Sequence, residues 1–232
     1  NEEQGIKGCI ANGISEQAAN KIYDSMVDFA KYAFNKSHAA AYAVVSYQTA
    51  YFKYYYPVEF MASLMTSVMD NSTKVSEYTL TCRKMNIEIL PPDINEGEGG
   101  FSVAGNAIRY GLSAIKGVGR PVIETIIAER EANGAFSNLE DFCSRLNGRE
   151  LNKRTIENFI KAGAMDGLEG TRKQKIMIYS AILDQINDEK KHSIAGQMSL
   201  FDFADEETKH DFEIQLPDVG EFPKETLLGF EK

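Results

Sequence analysis

A proline pair and a run of glycines, Pro91-Pro92 and Glu96-Gly97-Glu98-Gly99-Gly100, interrupt an otherwise helical pattern. Proline removes an amide donor and clashes with the preceding turn, so no helix crosses this point. The chain must therefore fold as two helical regions joined by a non-helical passage. Before the break, Ala18, Ala19, Ile22, Tyr23, Met26, Phe29 and Ala30 recur at helical spacing after Ser15-Glu16. A second helix runs from a Ser37 cap to about Tyr55, a third from Val58 to Met69 behind Pro57, and a fourth from Thr73 to Met85. The aromatic residues Tyr51, Phe52, Tyr54, Tyr55 and Tyr56 read as core and interface. Ile87-Glu88-Ile89-Leu90 is β-prone, and Phe101-Ser102-Val103 and Ala107-Ile108-Arg109-Tyr110 flank Gly105-Asn106 as the arms of a hairpin. The glycine run between them reads as flexible.

Helices resume after Gly119, where Pro121 favours a helix start and Val122, Ile123, Ile126 and Ile127 supply an apolar face that ends near Asn133-Gly134. Ser137 with Glu140 has the spacing of a capping box, Asn152 caps a further helix that stops at Gly163, and a longer helix runs from Thr171 to about Ile186. After Asp188 the chain turns polar, acidic and aperiodic, the pattern of a linker. The fold class expected is mainly α with a small β element. Its divisions are residues 1–90, a 91–110 β-hairpin connector, a second helical region at 111–188, and a flexible acidic linker at 189–232.

The 232 residues are 43% hydrophobic and 25% charged, an ordinary globular composition. No apolar run reaches the roughly 18–20 residues that span a bilayer, and Asn1-Glu2-Glu3-Gln4 lacks the character of a signal peptide. Cys9, Cys82 and Cys143 are odd in number and far apart, which argues against a disulfide framework or a zinc site. A soluble chain in a reducing cytoplasm is expected. Its ends, without a starting Met or a closing cap, read as those of a piece of something longer. The net charge of −9 is uneven: residues 1–100 hold 8 Lys/Arg against 12 Asp/Glu, residues 101–183 hold 12 against 9, and residues 184–232 hold 5 against 13. A basic middle between acidic flanks directs attention to that middle.

Three segments could carry chemistry. In Ile115-Lys116-Gly117-Val118-Gly119-Arg120, glycines bend the backbone at a helix start and leave amides pointing outward, where the helix dipole favours an anion such as phosphate. Glycines in such a turn serve either packing or binding. The pattern of Ile115, Gly117, Val118 and Gly119 followed by an amphipathic helix resembles the helix-hairpin-helix, which grips the DNA backbone without reading bases. Lys116, Arg120, Arg149, Lys153, Arg154, Lys161, Arg172, Lys173 and Lys175 supply the surrounding charge, and a solvated helix face accounts for some of them. Residues 151–164 read as a second, weaker copy of the unit.

In the acidic tail, Gln197-Met198-Ser199-Leu200-Phe201 places two large apolar residues beside each other, which suits a docking peptide received by a partner pocket. It resembles the bacterial sliding-clamp-binding motif; a patch folding back on the domain is the alternative. Lys36, Ser37 and His38 put a cation, a hydroxyl and an imidazole at a helix start, an anion-friendly group that could also be mere capping. Metal-dependent phosphoryl transfer needs clustered carboxylates on a rigid scaffold, and no Asp-x-Asp pair, Walker loop, nucleophile elbow or His/Glu zinc signature occurs.

Taken in order, Phe34-Asn35-Lys36-Ser37-His38-Ala39-Ala40-Ala41-Tyr42-Ala43, Ser46-Tyr47-Gln48-Thr49-Ala50, Tyr56-Pro57-Val58-Glu59-Phe60-Met61-Ala62, Ile89-Leu90-Pro91-Pro92-Asp93-Ile94-Asn95, Tyr110–Gly119 and Lys161-Ala162-Gly163-Ala164-Met165-Asp166 resemble the bacterial DNA polymerase III alpha family. Ser113 and Met165 depart from its more frequent Gly and Phe. The resemblance runs from about Gly5 to Phe201. It implies that residues 1–90 are the later part of the polymerase fingers, 111–188 the tandem helix-hairpin-helix region, and 189–232 a linker with a clamp-binding motif leading to an OB-fold.

The same resemblance implies a parent that is a DNA-directed DNA polymerase, a nucleotidyltransferase with magnesium in a palm not contained here. The fragment would hold no cofactor of its own, would have no catalytic residue, and would be inactive alone. Implied partners are duplex primer-template DNA, a deoxynucleoside triphosphate met through Lys36, Ser37 and His38, and the sliding clamp. The rival reading is a non-catalytic, clamp-tethered DNA-binding adaptor of repair; the fingers-like first hundred residues favour the polymerase.

Overall fold

The computed structural model describes residues 8–32, 36–146, 148, 151–194 and 215–230. The chain forms two compact units, residues 1–55 and 56–232. The expected division at residue 90 lies inside the second unit.

In the first unit a 3-10 turn, Ile10–Asn12, precedes α1 (Glu16–Tyr32) and α2 (Lys36–Tyr55). Ser15 caps α1, its Oγ accepting from the Ala18 amide at 3.3 Å. α2 starts two residues earlier than a Ser37 cap implies, so Ser37 stands inside its first turn and is not its cap. Two helices make no second layer to bury a face, and α2 buries no residue. The aromatic row is therefore not core: Tyr51, Phe52, Tyr54 and Tyr55 are exposed and stack on one another, with ring centroids 4.6 Å apart for Tyr51 and Tyr55.

The second unit opens with α3 (Pro57–Ser67) and α4 (Ser72–Lys84), the latter capped by Asn71, whose side chain accepts from the Lys74 amide at 3.1 Å. Met61, Ala62 and Met65 of α3 and Val75 and Cys82 of α4 pack on Ile87, Phe101 and Ile108. Those last residues belong to or flank a three-stranded sheet of order β1-β3-β2. β2 (Ser102–Ala104) and β3 (Ala107–Arg109) form the expected antiparallel hairpin, with Gly105 at φ +62° in the turn. β1 (Glu88–Leu90) joins the other side of β3 in parallel, Ile89 opposite Ile108.

The glycine run is an ordered bridge, contrary to the flexible segment expected. The Asp93 carboxylate accepts from the amides of Asn95 and Glu96 at 2.7 and 3.0 Å. Arg130 donates to the carbonyls of Ile94 and Gly97 and to the Glu98 carboxylate. A Cβ at Gly111 would lie 2.7 Å from the Gly100 carbonyl carbon, so two backbone segments pass each other where no side chain fits.

Beyond the bridge a 3-10 turn, Leu112–Ala114, leads to α5 (Arg120–Asn133), α6 (Leu139–Leu146), α7 (Lys153–Lys161), α8 (Arg172–Ile194) and α9 (Lys224–Phe230). Their common core holds Leu112, Ile115, Ile123, Ile126, Phe142, Leu146, Ile156, Phe159, Ile160 and Ile182. The capping frame of α6 is shifted by one residue. Asn138, not Ser137, accepts from the amide three residues on, Asp141, at 2.8 Å, and the Asp141 carboxylate reaches back to the Ser137 amide at 2.9 Å. α8 extends eight residues past the expected end, because residues such as Glu189, Lys190 and Lys191 propagate a helix without an apolar face.

Candidate nucleic-acid interface

The hairpin at residues 115–120 is built by the contrast between one buried and four exposed residues. Ile115 inserts into the core, Val118 is half-buried, and Lys116, Gly117, Gly119 and Arg120 face solvent. Gly117 has φ +76°, a left-handed conformation that strains any residue with a Cβ. Its Cβ would also meet Asn158 Nδ2 of α7 at 2.6 Å. Gly119 stands at the cap position of α5 with extended backbone and, being glycine, offers no side-chain acceptor.

A helix start leaves four amides without intrahelical partners. Pro121 removes one of them here. The Val118 amide makes a long bond to the Ile115 carbonyl at 3.4 Å. Among the described residues no acceptor pairs with the amides of Gly117 or Gly119. Those donors stand exposed at the positive end of α5, which is the arrangement that accepts an anion.

Lys116 makes no ion pair among the described residues, and Arg120 makes only a 3.9 Å approach to Asp70 with both side chains largely solvated. A pair of that kind is worth at most about 1 kcal/mol and yields readily to a phosphate. Arg154 is likewise exposed and without an ion pair among the described residues.

Four other cations of the basic middle are engaged elsewhere. Lys153 Nζ bonds Ser180 and Asp184 on α8, each at 2.8 Å. Lys161 pairs with Glu157, and that hydrogen bond is the chief reason the Glu157 carboxyl is held below its ordinary range. Lys175 is fully buried and donates to the carbonyls of Leu168 and Gly170; burial lowers its pKa. Arg172 is buried, with Nε and Nη2 on the Asp166 carboxylate and Nη1 on the Lys161 carbonyl at 3.1 Å. Arg172 and Lys175 thus hold the turn between α7 and α8 together. Arg149 lies outside the described residues.

The second copy of the unit differs from the first. Asn152 caps α7 with its own side chain, accepting from the Thr155 amide at 2.9 Å. At α8 the closure is complete. Thr171 and Gln174 exchange bonds between side chain and backbone, while the Glu221 carboxylate accepts from the amides of Arg172 and Lys173 at 2.8 and 3.1 Å. Glu221 arrives on a strap in which Leu216 packs over Gly170 and the Pro217 carbonyl accepts from Gln174. No local pattern in the sequence points to Glu221; the capping box of Thr171 and Gln174 was not expected, although its Thr-x-x-Gln spacing stands in the sequence.

Lys36, Ser37 and His38 all lie exposed in the first turn of α2, and the His38 ring stacks on Tyr42 at 4.3 Å. Gln197, Met198, Ser199, Leu200 and Phe201 lie outside the described residues. Among the described residues no group of three or more His, Cys, Asp or Glu is arranged to hold a metal ion, and no helix is long and apolar enough to cross a membrane.

The bent glycine turn, the open helix start and the supporting helical pairs define a helix-hairpin-helix protein, and the family described as helix-hairpin-helix motif matches residues 86–175. DNA polymerase III subunit alpha of Deinococcus radiodurans is 48% identical over 171 residues, covering 74% of this chain and 13% of that protein. The Vibrio cholerae subunit is 50% identical over 163 residues, 70% of this chain and 14% of that protein. The Mycobacterium leprae subunit is 41% identical over 212 residues, 91% of this chain and 18% of that protein. By sequence the chain belongs to the DNA polymerase III alpha family and corresponds to a segment of it; it spans 13–18% of the length of these relatives.

Proposed function

We propose that this chain is the part of a DNA polymerase III alpha subunit that holds duplex DNA by its phosphates, irrespective of sequence, through Lys116, Gly117, Val118, Gly119 and Arg120. The observation that carries the reading is that the amides of the exposed Gly117 and Gly119, at the start of α5 and flanked by two cations, have no partner among the described residues. Phosphate contacts release counterions, so log affinity falls with log salt at about −0.9 per phosphate neutralised; two to four contacts give a slope of about −2 to −4. Fluorescence anisotropy on duplexes of unrelated sequence at several salt concentrations measures it. A salt-independent affinity, or one that discriminates between the duplexes, overturns the reading.

The parent activity in this reading is template-directed DNA synthesis, its magnesium and catalytic carboxylates being supplied by parts of the protein other than this chain, which is inactive by itself. Lys36, Ser37 and His38 serve the incoming-nucleotide side of the site, supported by their exposure at a helix start. Lys36→Ala in the whole polymerase should then raise KM for the nucleotide or lower kcat. Gln197, Met198, Ser199, Leu200 and Phe201 tether the polymerase to its ring clamp, so that processivity comes from effective concentration. A Leu200→Ala, Phe201→Ala double variant should lose clamp affinity, and retention would remove the motif from that role. A cytoplasmic location follows from the replicative reading.

A further inference from the structure

Asn158 is a half-buried carboxamide in the middle of α7, and its Nδ2 lies against the Gly117 turn, 2.6 Å from where a Cβ on that glycine would stand. The carboxamide still reaches solvent and has no hydrogen-bond partner among the described residues, so its two donors are available to a ligand. Arg154 stands four residues earlier, on the same face of α7 and about one turn away, about 6 Å along the axis. It is exposed; its charge is felt by Glu157, but it makes no close ion pair among the described residues.

We infer that Asn158 and Arg154 extend the phosphate-binding surface from the hairpin onto α7. Asn158 donates a hydrogen bond to the phosphate seated on the Gly117 and Gly119 amides, and Arg154 meets the neighbouring phosphate of the same strand. The absence of a side chain at Gly117 then has two purposes: it permits the positive φ, and it leaves the carboxamide of the second helical pair room to reach the site of the first. This rests on the hairpin being a phosphate site, and it adds that a single strand is read by both helical pairs together.

The two residues have different signatures, because one is neutral and the other charged. The experiment is anisotropy of the 232-residue chain with a duplex of arbitrary sequence, titrated with salt, for the wild type, Lys116→Ala, Asn158→Ala, Asn158→Asp and Arg154→Gln. Asn158→Ala should weaken binding about tenfold or more, the loss of one hydrogen bond to a charged group, and leave the salt slope unchanged. Asn158→Asp, similar in shape but carrying a charge of the phosphate's sign, should weaken it further. Arg154→Gln should reduce the slope by about 0.9.

A purely structural Asn158 would move the thermal melt and not the affinity of the folded protein, and that result overturns the inference. Equal binding by Asn158→Asp and wild type also overturns it. If the wild type binds with a salt slope that Lys116→Ala reduces while the Asn158 and Arg154 variants match wild type, the hairpin reading stands and this extension fails. If the wild type shows no salt-dependent binding, both fail.

Discussion

α5 and α8 each begin with an arginine after a glycine-containing turn, and they dispose of their first amides in opposite ways. At α5 the cap is Gly119, the amides of Gly117 and Gly119 are open, and Arg120 is solvated with its nearest carboxylate at 3.9 Å. At α8 the amides of Thr171, Arg172, Lys173 and Gln174 are all taken, by Gln174, Glu221 and Thr171, and the arginine is buried on Asp166. The same electrostatic end of a helix is left available in one place and used up in the other. An anion-binding helix start is therefore recognised by what its neighbours fail to supply as much as by its own residues.

The comparison breaks most visibly at Arg172. Arg172→Leu removes a buried cation from the Asp166 carboxylate and the Lys161 carbonyl. Losing one partner of a buried pair costs about 3–5 kcal/mol, and the partial exposure of Asp166 reduces that to about 2–3 kcal/mol. Chemical denaturation of the second unit, followed by far-UV circular dichroism, should show this loss. The salt slope of DNA binding by the folded variant should equal that of the wild type, whereas Lys116→Ala should shift the slope and hardly touch stability. A slope that falls in Arg172→Leu would mean that α8 shares the DNA surface.

These assignments also mark where sequence reading reaches its limit. The hairpin was legible because its information is local: Ile115, Gly117, Val118, Gly119 and the isoleucines of α5 lie within a dozen residues, and each has one role the spacing reveals. Arg172 and Lys175 looked like part of a basic surface because no spacing rule marks their partners, although these are near in sequence. The Asp166 carboxylate and Lys161 carbonyl meet the Arg172 guanidinium, and the Leu168 and Gly170 carbonyls accept from Lys175, only once the turn between α7 and α8 closes; Glu221, which takes the Arg172 amide, comes from 49 residues away. The core half of the reading of the aromatic row of α2 failed for a related reason. Burial is a property of what packs on a helix, and α2 buries none of its residues. The sheet was half legible: a hairpin is announced by its turn, whereas the parallel pairing of β1 with β3 depends on a bridge whose order rests on Arg130 and Asp93.

A substitution that makes α5 resemble α8 sharpens the contrast. Gly119 has φ −79° and ψ 146°, an ordinary cap conformation, and a Cβ there meets only Pro121 Cδ at 3.7 Å. Gly119→Asp can therefore be accommodated, and its carboxylate should cap the helix as Asn152 caps α7. Stability should rise by a few tenths of a kcal/mol, the usual difference between glycine and aspartate at a cap. DNA affinity should fall, because the new carboxylate, capping the Val122 amide, stands beside the open amides of Gly117 and Gly119 and repels phosphate. Loss of charge-assisted hydrogen bonds worth about 1.5–3 kcal/mol corresponds to a tenfold to hundredfold weaker complex. A variant that is more stable and still binds like wild type would show that the open amides of α5 are not where DNA sits.

The smallest effect is expected at the closed end. Burial works to raise the Glu221 carboxyl, but the amides of Phe222, Arg172 and Lys173 and the charge of Arg172 outweigh it, and the net shift is downward from 4.5. A carboxyl lowered in the folded state contributes stability that is fully present above its ordinary value and is lost as the pH falls through the folded one. The strap should accordingly stay clasped at neutral pH and loosen only below about 4.5. Glu221→Gln should reproduce the acid state at neutral pH. Charge at a helix N-terminus is worth about 0.3–1 kcal/mol when exposed, so hydrogen exchange at the Arg172 and Lys173 amides should quicken about twofold to fivefold. Exchange at Val122 and Ile123 of α5 should not change, since nothing comparable covers that start, and a common acceleration at both helices would mean that the two ends are coupled.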